Sequence, residues 1–245
     1  MRISELNFSN LLAAHQWVWG RIIHASELPC GALRSLRVLL PAVYLLLYLP
    51  SYNWIAQMPD AWFDPPPLSI AAGFRAFPSL LFFQVAQTLL ILSATALMLG
   101  KRPRLFGLAF CAIHVVITSF EYSFGKIDHG AHFLMLCFFC LSLDNWGTKE
   151  PRRRWALAIP GSTLLAVLIA FGMFTAGFDK TLRWFDFNLN TNGFLTWFVP
   201  GHHNLGRDEL LAPYITSLPK IILEFLDYSG ALFEMVPFLF LLCGK

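Results

Sequence analysis

Residues 79–99, SLLFFQVAQTLLILSATALML, run for 21 positions without a charged side chain. At ~1.5 Å per residue, a helix of that length crosses the roughly 30 Å hydrocarbon core of a bilayer. Few folds accept such a segment. In water it must be buried on all sides, and in lipid it needs only a helical backbone. The rest of the chain decides between the two. Charged residues make up 13% of the sequence and hydrophobic residues 56%. Soluble domains carry about 25% charged residues, so too few charges remain here to cover a water-facing surface. A soluble all-α protein of this composition would expose large apolar patches and aggregate.

Further apolar runs occur at 36–55, 105–120, 129–143, 155–178 and 228–242. With 79–99 they predict an all-α, polytopic membrane helix bundle of about six transmembrane helices, forming a domain over 34–245. Pro41 and Pro50 bend or end the first run, and Trp62-Phe63-Asp64-Pro65-Pro66-Pro67 cannot continue a helix. Residues 208–226 read as one further helix. Residues 1–33 have partial helical periodicity, with Trp17 and Trp19 beside Arg21, and predict an interfacial helix at the N-terminus. No small-residue cleavage site follows a short apolar core, so no cleaved signal is expected. The end at Cys243-Gly244-Lys245 also fits a C-terminally shortened relative of a longer protein.

With the N-terminus inside, twelve Lys/Arg fall on one side of the membrane and six on the other. The larger set clusters in short loops such as Lys101-Arg102-Pro103-Arg104, which predicts a cytoplasmic N-terminus and, for a bacterium, an inner-membrane protein. The net charge of +3 is loop asymmetry and gives no patch for nucleic acid. Four of the five cysteines lie in or next to apolar runs, where a thiol packs, their spacing is not that of a disulfide scaffold, and Cys137-Phe138-Phe139-Cys140 lies deep in an apolar run. His114 reads as a packed histidine bonded to a neighbouring helix. His129-x-x-His132 has no carboxylate or cysteine at firm ligand spacing, so no metal is expected.

On the outer side this topology gathers Asp128, His129 and His132 at the start of one span. Asp179, Lys180, Arg183 and Trp184 lie at the end of the next. Two readings stay open for Lys180. In one it snorkels to headgroups while Asp179 pairs with Arg183 at i,i+4. In the other, desolvation disfavours the ammonium and leaves an amine able to act as a base. His132, Trp184, Arg183 and Asp128 are candidate substrate contacts. Glu234, in the last run, is costly in hydrocarbon and needs a basic partner, a histidine or a proton.

Thr175-Ala176-Gly177-Phe178-Asp179-Lys180-Thr181-Leu182, followed by Trp184, resembles a motif of the HTTM (horizontally transferred transmembrane) family. That family includes the membrane domain of vitamin K-dependent γ-carboxylase. The segment Pro29-Cys30-Gly31-Ala32-Leu33-Arg34-Ser35-Leu36-Arg37 and the ending Met98-Leu99-Gly100 are similar too, and Asp227 and Gly230 match loosely. The resemblance implies that Lys180 is a catalytic base, that His129 has a catalytic role, and that the cofactor is a reduced quinone such as vitamin K hydroquinone. Asp179 and Thr181 depart from the family motif, and no counterpart of the large luminal domain is present. These departures favour a lipid-soluble quinol over a protein glutamate as substrate. The alternative is a non-catalytic membrane scaffold or maturation factor for a secreted partner. A quinone-associated subunit of the DoxX-like type fits the pattern less well.

Overall fold

The computed structural model describes residues 8–48, 51–125, 129–148, 159–199 and 212–244. Its helices are α1 (Phe8–Ser26), α2 (Cys30–Val43), α3 (Leu80–Met98), α4 (Pro103–Glu121), α5 (His129–Leu143), α6 (Gly161–Trp184), α7 (Gly193–Val199), α8 (Ala212–Ile215) and α9 (Lys220–Cys243). No strand occurs among the described residues. Among the described residues, five helical segments are long and apolar enough to cross a membrane: Cys30–Leu47, α3, Pro103–Phe124, α6 and α9. A sixth apolar stretch, Phe133–Leu143 in α5, is shorter. The chain is therefore an all-α polytopic membrane protein.

Two compact units divide it, one of residues 27–165 and the other of residues 1–26 with 166–245. In the first unit, Pro41 removes a backbone donor within α2, and the next turn, Tyr44–Tyr48, widens into a π-helix. Short 3₁₀ turns at Ile55–Gln57, Asp60–Trp62 and Ile70–Gly73 then carry the chain past the three prolines to α3. At its other end α3 closes on Gly100, at φ +72°, with Lys101 N–H donating to Ala96 and Gly100 N–H to Leu97. That geometry satisfies the last carbonyls of α3, and Pro103 then opens α4 where no donor is needed. Phe83, Leu90 and Leu97 of α3, Phe110, Ile117 and Phe120 of α4, and Phe138 and Leu141 of α5 form one buried core with Tyr44 and Trp146. His114 is 1% exposed and stacks on Phe110, as a packed histidine should.

Gly107 sits where α4 crosses the end of α5. A Cβ there would meet the Ser142 hydroxyl and come within 2.9 Å of the Trp146 indole nitrogen. The missing side chain lets the indole donate to Ser142 Oγ at 2.9 Å, which in turn donates to the Phe138 carbonyl. Next to this chain, both carboxylate oxygens of Asp144 accept the first N–H groups of α6, from Gly161 at 2.7 Å and Ser162 at 2.8 Å.

In the second unit, Ile22 of α1 packs with Ala170 of α6 and Leu241 of α9. Arg21 donates to the Cys243 carbonyl at the end of α9 and lies 4.5 Å from the centre of the Trp17 ring. A cation is favoured at that helix end, where the last carbonyls lack partners. Three boundaries differ from the sequence expectation. The first run, expected over 36–55, is helical from Cys30, opened by the extended Pro29, to Tyr48, and residues 51–54 are not helical. The run 155–178 yields a helix that ends at Trp184, because Asp179, Lys180 and Arg183 form intrahelical or interhelical pairs that keep them helical. The single helix expected over 208–226 is not formed. Pro219, without an N–H, stands extended before Lys220 and starts α9 there.

Gly107→Ala should lower stability by about 1–3 kcal/mol through overpacking. Thermal unfolding in detergent measures it. Adding Ser142→Ala should restore part of the loss, and an unchanged melt for the single variant would contradict the packing described.

Candidate functional site

The site is built on α6 and α9, which run antiparallel. Phe174 meets Phe238 with ring centres 5.0 Å apart, and one turn on, a Cβ at Gly177 would lie 2.7 Å from the Ala231 carbonyl. The absent side chain brings the two backbones close. One more turn along α6 stands Lys180. Its Nζ bonds to Glu234 Oε1, and both side chains are 25% exposed. The ammonium also lies 5.3 Å from the centre of the Trp184 ring, within cation–π range.

The register sets the depth of this pair. Glu234 is followed by only nine residues of α9, whose span continues in the other direction to Lys220. At ~1.5 Å per residue it lies about 21 Å from one end and about 14 Å from the other. Lys180 is four residues from the end of α6. The lysine thus reaches from near the end of its own helix towards the middle of the neighbouring one. In hydrocarbon each charge would be costly alone, and each here has its opposite. Glu234 Oε2 is buried and has no hydrogen-bond partner among the described residues. The pair therefore has one vacant acceptor, on the carboxylate, beside an occupied cation.

Beyond Trp184 the chain folds back over the start of α9. Asp227 accepts N–H groups from Gly193 at 3.0 Å and Phe194 at 2.6 Å, and so caps α7. Tyr228 accepts the Phe187 N–H at 3.1 Å and donates its hydroxyl to Glu224. Phe187 stands at φ +54° with its ring 84% exposed. Asp186, outside the span, accepts the Thr191 hydroxyl at 2.5 Å and the Asn188 N–H at 3.0 Å. These bonds, that from Thr191 first, hold its carboxyl below the ordinary carboxylate range.

The expected site residues separate as follows. Lys180 and Trp184 come together. Arg183 turns away to Asp179, 3.2 Å distant, in an exposed i,i+4 pair. His129 and His132 open α5, in the other compact unit, and their side chains lie outside the described residues, as does Asp128. Glu234 needed a partner on sequence grounds, and Lys180 is that partner. The roles of Glu224, Asp227 and Tyr228 were missed. With Ala231, Glu234, Phe238 and Leu241 they form a stripe along α9 at steps of three or four, widened by the adjacent Asp227 and Tyr228, a spacing that places them on one face. Starting that helix at Tyr228 hides the pattern. Among the described residues no three His, Cys, Asp or Glu side chains form a group that could hold a metal.

Comparison with protein-family models, curated proteins and solved structures finds no match to this chain.

Lys180→Met leaves Glu234 without its partner and should lower stability by about 2–3 kcal/mol. Lys180→Met/Glu234→Leu should recover most of that loss in detergent melts. For Asp186, the folded-state midpoint lies below the ordinary value of about 3.9. Its contribution to stability is therefore present above that value and lost as pH falls through the folded midpoint. Thr191→Val should raise the midpoint, read from the pH dependence of the Asn188 amide resonance.

Proposed function

We propose that the chain is a membrane enzyme of the HTTM, vitamin K-dependent carboxylase-like kind, whose Lys180–Glu234 pair takes a proton from a lipid-soluble quinol. The observation that carries this reading is the vacant, buried Oε2 of Glu234 beside a bound lysine ammonium. A carboxylate oxygen with free lone pairs accepts a phenolic hydroxyl, and an adjacent cation stabilises the oxyanion left when the proton departs. A reduced quinone such as vitamin K hydroquinone supplies an acidic O–H on an electron-rich ring, and these residues fit it. The resemblance implies Lys180 as the base, but its pairing with Glu234 favours another division of roles: Glu234 Oε2 receives the proton, Lys180 Nζ holds the negative charge, and Trp184 keeps the ammonium oriented. The bias of basic residues supports a cytoplasmic N-terminus in a bacterial inner membrane, with Lys180 towards the outer side.

A second reading is favoured by the close approach at Gly177. There the pair is a structural pin between α6 and α9, and the protein is a non-catalytic scaffold or maturation factor for a secreted partner.

Oxygen uptake by the purified protein in detergent, with a reduced naphthoquinone, separates the two. The enzyme reading expects quinol-dependent turnover that falls by about 10²–10⁴-fold in Lys180→Ala. It further expects the charge swap Lys180→Glu/Glu234→Lys to stay inactive while regaining thermal stability. Absence of lysine-dependent turnover in a folded protein rejects the enzyme. Partner co-purification that survives Lys180→Ala then supports the scaffold.

A further inference from the structure

We propose that Arg37, Lys101, Arg102 and Arg104, with the N-terminus of α4, bind the phosphate headgroup of an anionic phospholipid. All of these lie in the unit of residues 27–165. The fold brings them to one end of its helices. The Arg37 guanidinium lies against the turn between α3 and α4, 3.1 Å from where a Cβ on Gly100 would stand. Lys101 and Arg102 follow that glycine directly, and Arg104 is in the first turn of α4. Arg34, one turn before Arg37, is engaged elsewhere, donating to the Gly147 carbonyl at 3.2 Å.

Three observations call for an anion at this place. First, the ion pairs of the described residues are Lys180–Glu234 and Asp179–Arg183, so no carboxylate among them neutralises the four cations. Asp144, in the turn after α5, spends both oxygens on Gly161 and Ser162. Second, Arg37 Nε is buried without a hydrogen-bond acceptor among the described residues. Third, α4 starts without a side-chain cap, and Arg102, its N-cap residue, is held at φ +38°. The positive end of a helix dipole disfavours cations nearby, yet Arg102 and Arg104 are placed there. One phosphate answers all three, because exposed N–H groups at a helix start and guanidinium forks both match its oxygens.

The surroundings point to a lipid and not to free phosphate. Leu99 and Leu105, on either side of the basic turn, are 70% and 54% exposed, and Leu39, two residues after Arg37, is 57% exposed. They continue the apolar surface of membrane-crossing helices and suit acyl chains.

The test compares binding of the 245-residue chain to phosphatidylglycerol and to phosphatidylcholine in mixed detergent micelles, by native mass spectrometry and by lipid-dependent thermal shift. Phosphatidylglycerol should bind more tightly. Arg102→Gln/Arg104→Gln should weaken it by roughly 25-fold, at about fivefold per basic residue near the surface. Arg37→Gln should weaken it as well, while the charge-matched control Arg75→Gln/Lys220→Gln leaves it unchanged. An equal loss in the control overturns the proposal, because the attraction would then be diffuse. No preference for phosphatidylglycerol also overturns it, as does displacement of the lipid by equimolar inorganic phosphate. Melting in phosphatidylcholine alone confirms that the variants are folded.

Discussion

In hydrocarbon every backbone N–H and C=O must find a partner within the protein, and the rest of this structure depends on that constraint. Helix interiors meet it automatically, so the difficulty moves to the helix ends, which leave donors and acceptors open. The chain treats its ends individually. Asp144 supplies both oxygens to the start of α6, and Asp227 does the same for α7. Arg21 covers a carbonyl at the end of α9. Gly100 folds the end of α3 back upon itself. Asp144, Asp227 and Arg21, three charges of this sparsely charged sequence, are thus spent where the backbone is incomplete.

The same economy explains α9. Its polar residues share one face with its core residues, because that face meets α6 and the segment after it. Towards Cys243 the stripe is apolar and packs on α1 and α6. At Glu234 it meets Lys180, and at Asp227 and Tyr228 it binds exposed backbone donors. One helix therefore carries a packing surface, an ion pair and a set of caps in sequence along its length.

The apolar runs were legible because hydrocarbon leaves a composition signal that survives without any knowledge of neighbours. Local pairs were legible for the same reason, and the Asp179–Arg183 contact at i,i+4 is one of them. Glu234 could be marked as needing a partner by its cost alone. Which base it takes depends on the antiparallel register of two helices 54 positions apart in sequence, and no local pattern encodes that. The end of α6 was misplaced because charges look like a boundary when their partners lie on another helix. The start of α9 lies eight residues before Tyr228, because Pro219 lacks an N–H and opens the helix there, where the polar residues of its first turns hide the apolar pattern.

The two bonds from Asp227 to Gly193 and Phe194 make the start of α9 mechanically asymmetric. Lifting the segment after α6 away from α9 breaks hydrogen bonds to a charged group, each worth about 1.5–3 kcal/mol. Spreading α6 and α9 sideways, at the level of Phe174 and Phe238, separates only dispersion contacts, which lipid chains can replace. In this unit the segment after α6 is bonded to α9, while the flank beyond the Lys180–Glu234 pair is held by apolar packing alone. A molecule already dissolved in the bilayer meets the weaker seam.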